Sequence, residues 1–146
     1  MSEDLYQKDL LRLAAEAAGH GRLPAPQVSV TMDNPLCGDR ITLDLSLADG
    51  HVSELGHEVK ACVLCQASAT LVGRHAKGAT PAALAAVAQR IAALLKQPEE
   101  TELPDGWEDV AALKPAARIK SRHACVLLPF RALQEALSKA EAKATR

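Results

Sequence analysis

Apolar and polar residues alternate over two neighbouring stretches of the 146-residue chain. Val28, Val30 and Met32 are interleaved with Ser29, Thr31 and Asp33; Ile41, Leu43, Leu45 and Leu47 with Thr42, Asp44 and Ser46. A period of two suits a strand with one buried face, so the pattern predicts two strands joined by a tight loop at 34–39. Asp49-Gly50 reads as a two-residue hairpin turn. A third strand is expected from about His51 to Val59, with a bulge where its alternation falters.

Elsewhere the period is helical. Tyr6, Leu10, Leu13, Ala14 and Ala17 predict a first helix ending near Gly19, and His20 to Pro26 is a connector. Leu64, Ser68, Leu71, Val72 and His75 share one face of a helix that starts at or just after Cys62. Thr80-Pro81 is a cap followed by a first-turn proline, opening an amphipathic helix along Leu84, Val87, Ala88, Ile91, Leu94 and Leu95. Gln97 to Trp107 is an acidic surface loop. Glu108 to Leu113 reads as a short helical piece stopped by Pro115. Ser121 is the expected cap of a last helix with the face Val126, Phe130, Leu133 and Leu137, carrying Pro129 in its early part. Ala140 to Arg146 is expected to fray. One helix, three strands and then helices predict an α+β fold, a small three-stranded antiparallel sheet with helices packed on one face.

The length fits a single domain over 1–146 with a real core. That core is aliphatic, because Tyr6, Trp107 and Phe130 are the only aromatic residues. The shortage of stacking side chains and a net charge of −1 argue against nucleic-acid or anionic-lipid surfaces. Met1 to Gln7 lacks the apolar run of a signal peptide, and no stretch is apolar enough to span a membrane. A cytoplasmic protein is expected, whose four cysteines are metal-binding or reactive thiols rather than a disulfide framework.

Those thiols sit at telling places. Cys37 lies in the loop between the first two strands, two residues before Asp39. Cys62 lies where the third strand gives way to a helix, and Cys125 near the start of the last helix. Helix N-termini favour thiolate over thiol. Three thiolates and a carboxylate converging on one point would suit tetrahedral zinc or iron–sulfur ligation. Cys65 lies one turn beyond Cys62 and reads either as a small buried hydrophobe or as a further ligand. His123 reads as a helix-start residue facing solvent or as a ligand. A redox reading of Cys62-x-x-Cys65 lacks the βαβ context it needs. His20, His51, His57 and His75 show no pairing and are read as structural.

Three blocks carry a resemblance: Asn34-Pro-Leu-Cys-Gly-Asp39, Ala61-Cys-Val-Leu-Cys-Gln-Ala-Ser-Ala69, and Arg122-His-Ala-Cys-Val-Leu-Leu-Pro-Phe-Arg-Ala-Leu133. Together they resemble the signature blocks of the IscU/NifU-like iron–sulfur scaffold family, over roughly Leu5 to Leu137. The long separation of Cys62 from Cys125, and Ala124 where the IscU type has histidine, are similar to the SufU-type branch. Ala61 departs from the family's usual glycine, and Cys65 from its usual small non-thiol residue. The resemblance implies a SufE/NifU-like fold and a metal site of Cys37, Asp39, Cys62 and Cys125 holding zinc or a [2Fe–2S] cluster. It implies Cys125 as the persulfide acceptor and Arg122 as a residue engaging a partner or the site. It further implies a scaffold or sulfur acceptor working with a SufS-type cysteine desulfurase and downstream cluster-acceptor proteins. A zinc-dependent sulfurtransferase that activates the desulfurase without building a cluster is the alternative, and a purely structural zinc domain a third reading.

Overall fold

Alternation becomes an antiparallel meander. The computed structural model describes residues 3–36 and 38–144, so Cys37 and the side chain of Tyr6 lie outside it. Strands β1 (Val28–Asn34), β2 (Asp39–Ala48) and β3 (His51–Lys60) pair in the order β1-β2-β3. Helix α1 (Glu3–Glu16) precedes them. Helices α2 (Val63–His75) and α3 (Pro81–Lys96), a 3-10 helix over Glu108–Arg118, a short 3-10 turn over Lys120–Arg122 and helix α4 (His123–Ala144) follow. This is the expected α+β fold.

Val28, Val30, Ile41, Leu43 and Leu45 form the buried face of the sheet. Helix α4 lies across β1 and β2, and α2 packs beside β3. The turn at Asp49 and Gly50 takes positive φ at both residues, 53° and 76°, as a hairpin matched to the strand twist requires. Ser46 pairs with Glu54 but Leu47 with Val52, so Ser53 is the extra residue of the expected bulge. The connector after α1 guards the outer edge of β3. There the His57 N–H donates to the Gly19 carbonyl and the Gly21 N–H to that of His57, at 2.9 and 2.8 Å. Gly73 makes this packing possible, since a Cβ there would meet the Ala18 carbonyl oxygen at 1.8 Å.

Four boundaries correct the sequence-based expectation. Pro115 does not stop the helical piece. Val110, Leu113 and Ala116 are buried, a spacing of three that matches the 3-10 period and carries the chain through the proline. The last helix starts at His123 without a Ser121 cap, because the 3-10 turn leads straight into it. The C-terminal segment stays helical to Ala144, held by Ala140, which is fully buried. The first helix also ends at Glu16, short of Gly19, because Ala17 already takes a positive φ of 50°. Thr80 caps α3 as expected, its hydroxyl accepting from the Ala83 N–H at 3.2 Å. Among the described residues no helix is long and apolar enough to cross a membrane.

Candidate metal centre

Three junctions of the chain meet at one end of the sheet. The first is the β1–β2 turn, where Gly38 at φ 75° donates its N–H to the Asn34 carbonyl at 2.8 Å. This places Asp39 at the first position of β2, opposite Asn34 and on the same face as Ile41. Its carboxylate is 3% exposed. The second junction is the N-terminus of α2. Cys62 is its cap residue, with an extended backbone of φ −68° and ψ 167°. The third is the first turn of α4, where Cys125 is fully buried.

Asp39 joins the first junction to the second. Oδ1 accepts the Cys62 backbone N–H at 3.0 Å, and Oδ2 lies 3.6 Å from the Cys62 sulfur. The positive end of the α2 dipole lies beside both groups. Cys125 completes the group, and its sulfur receives the Asn34 amide Nδ2 at 3.7 Å. One ligand atom each from Asp39, Cys62 and Cys125 lies within 4.8 Å of the others. On a tetrahedral zinc, sulfur and oxygen ligands sit about 3.5 Å apart and two sulfurs about 3.8 Å apart. The described donors therefore need only small movements to share one ion, and a thiolate–carboxylate set suits zinc or iron.

The remaining expected residues fall around this group. Cys37, the fourth expected ligand, lies outside the described residues. Cys65 is fully buried in the core one turn along α2, and among the described residues it does not join the converging set. His123 is half-buried rather than solvent-facing, with its Nε2 3.1 Å from the Ala117 carbonyl oxygen. Arg122 is exposed in the 3-10 turn that leads into α4. His75 lies at the far end of α2, its ring 4.5 Å from that of Trp107 and its Nε2 2.8 Å from Asp109. Sequence reasoning treated Asn34 only as a turn residue. The missed signal was its amide, which needs partners once the residue is buried.

Apolar surface flanks the centre. Leu36 is 92% exposed beside the loop, and Val63, next to Cys62, is 41% exposed. Val63 also lines a groove of about 280 Å³ with Leu10, Leu11, Leu64, Pro115 and Ile119. Exposed apolar patches of this kind mark interaction surfaces.

Comparison with known proteins gives a consistent result. The family model for the NifU-like N terminal domain matches residues 5–145. The chain is 27% identical over 114 residues to the zinc-dependent sulfurtransferase SufU of Bacillus subtilis, covering 78% of this chain and 77% of the relative. It is also 27% identical over 140 residues to the iron–sulfur cluster assembly scaffold protein IscU of Thermotoga maritima, covering 92% and 94%. The crystal structure of the N-terminal part of a nitrogen-fixing NifU-like protein from Brucella abortus superposes with a TM-score of 0.87 at 34% identity, covering 97% of each chain.

Proposed function

Since the chain belongs to the NifU-like N terminal domain family, we propose that it is an iron–sulfur assembly scaffold and sulfur acceptor whose metal centre is Cys37, Asp39, Cys62 and Cys125. The observation that carries this reading is the convergence of Asp39, Cys62 and Cys125 from three separate junctions of the fold. A bound metal would supply positive charge that keeps the thiols deprotonated. The protein's own share is to hold the ligands. The end of β1 and the start of β2 fix Asp39, the cap position of α2 aims Cys62, and the first turn of α4 delivers Cys125. An aspartate oxygen is a harder and more exchangeable ligand than a thiolate, which suits a centre that must release its cargo.

Sulfur arrives from a cysteine desulfurase. The Cys125 thiolate attacks the outer sulfur of the desulfurase's cysteine persulfide. The S–S bond of that persulfide breaks, the desulfurase cysteine leaves as a thiolate, and Cys125 carries the new persulfide. Cys62 is the competing acceptor, favoured by its half-exposed position where Cys125 is fully buried. Mapping the added sulfur by mass spectrometry separates the two. Arg122 and the apolar rim at Leu36 and Val63, all exposed, would meet the desulfurase, and cluster-acceptor proteins take the product. A reducing cytoplasm is the setting in which such thiols stay available.

The alternative is a zinc-dependent sulfurtransferase, the activity named for the Bacillus subtilis relative. Metal and acid-labile sulfide in protein purified without oxygen, for wild type and Asp39→Ala, decide between them. The scaffold reading expects iron and sulfide in equal amounts, with a longer-lived cluster in Asp39→Ala because the exchangeable ligand is gone. One zinc and no sulfide, with strong stimulation of the desulfurase, establishes the sulfurtransferase. Absence of metal from both proteins, even after reconstitution, overturns the four-ligand centre.

A further inference from the structure

Asn34 links two of the centre's three junctions, the β1–β2 turn and the first turn of α4. It is the last residue of β1, 7% exposed, and it pairs with Asp39 across the sheet. Its backbone carbonyl accepts the Gly38 N–H. Its side-chain Oδ1 accepts the Leu36 N–H at 3.2 Å. That last bond fixes the amide's orientation, because an N–H must be met by the oxygen. The nitrogen is therefore the atom turned toward the Cys125 sulfur, 3.7 Å away. A residue 91 positions away in the chain thus donates to a fully buried sulfur.

A turn-forming asparagine needs no such contact. The bond from the Leu36 N–H to Oδ1 closes the loop by itself and asks for no sulfur beside the nitrogen. A buried sulfur bearing negative charge does need a donor, since burial without one disfavours the charged form. Donors to a ligand sulfur withdraw electron density from it, and such outer contacts orient the ligand and tune the metal. We propose that Asn34 is a positioning residue of the centre: its amide N–H holds the Cys125 sulfur in place and lowers that sulfur's electron density. The inference rests on the reading of Cys125 as a ligand.

The test uses the full chain loaded with Co(II), whose sulfur-to-cobalt charge-transfer band reports the electron density on the ligand sulfurs. Asn34→Ser keeps a hydroxyl able to accept from the Leu36 N–H but too short to reach Cys125. It is expected to move the band to longer wavelength and to weaken cobalt binding by about 10- to 100-fold. In a Cys125→Ser background the same substitution is expected to leave the band where Cys125→Ser alone puts it. Asn34→Asp, which keeps the shape and the acceptor but loses the donor, is expected to move the band in the same direction, and it serves if Asn34→Ser does not fold. An unmoved band in these variants, or an equal shift with and without Cys125, overturns the proposal and returns Asn34 to a turn-forming role. A wild type that takes up no cobalt overturns the metal centre, and this inference with it.

Discussion

Two buried aspartates lie five residues apart on one strand and face opposite ways. Asp44 is fully buried beneath the connector on the outer face of the sheet, and Asp39 is 3% exposed on the inner face at the sheet's end. Asp44 is met as a structural carboxylate is met. The Arg22 guanidinium grips both its oxygens at 2.7 and 3.1 Å, the Ser29 hydroxyl donates at 2.6 Å and the Leu23 N–H at 3.0 Å. Asp39 is met by the N–H and the sulfur of Cys62, with the Cys125 sulfur close by. Equal burial thus serves opposite ends. A cation and hydrogen-bond donors make one aspartate a rivet between the connector and the sheet. Neighbouring thiols make the other part of a donor set that a metal completes.

The sharpest way to break this contrast is to remove each carboxylate and ask what is lost. Asp44→Ala strands the Leu23 N–H, while the exposed Ser29 hydroxyl turns to water, and is expected to cost about 2 kcal/mol of stability. The half-exposed Arg22 turns to water and limits the loss. A chain of this size has stability to spare for that, so metal content is expected to match wild type. Urea unfolding alongside metal analysis measures both. Loss of metal from folded Asp44→Ala would erase the distinction between the two sites.

Asp39→Ala is the converse and smaller in stability. In the metal-free protein it removes one cap-like bond to the Cys62 N–H, worth about 1 kcal/mol. Asp39→Asn, whose amide oxygen can still accept that bond, is expected to lose less than Asp39→Ala, by the same urea measurement. A loss for Asp39→Ala above that for Asp44→Ala would make Asp39 the rivet instead.

How much of this was legible in the sequence follows the range of each interaction. The strands, the Asp49-Gly50 turn and the Thr80 cap depend on neighbours a few residues away, and residue periodicity shows them. The meeting of Asp39, Cys62 and Cys125 was legible more indirectly, because each sits where one element hands over to the next. The 3-10 helix through Pro115 was misread, since a spacing of three at Val110, Leu113 and Ala116 resembles a frayed α pattern until burial singles it out. The Arg22–Asp44 grip was invisible. Asp44 reads as an outward residue of an alternating strand, and nothing local announces that the connector will fold over it. The Asn34 amide escaped for the same reason, its partner lying on the last helix.

Acid gives the finest separation of the two aspartates. Burial works against charge on Asp44, but hydrogen bonds from Arg22, Ser29 and the Leu23 N–H outweigh it and hold the carboxyl below the ordinary range. A depressed folded-state value means that the unfolded chain takes up the proton first. The stabilisation is therefore present above about pH 4 and lost as pH falls through the folded value. Glu16 is lowered in the same sense, chiefly by the Arg74 hydrogen bond, and contributes in the same window. Its pair is partly exposed, with side chains 39% and 34% accessible, so high salt is expected to screen it. Urea unfolding of the metal-free protein between about pH 5 and 3 should show a slope that Asp44→Asn flattens at any ionic strength. Glu16→Gln should flatten it only in dilute buffer. If salt abolished the Asp44→Asn effect as well, the rivet would be an ordinary surface ion pair, and the contrast with Asp39 would rest on the thiols alone.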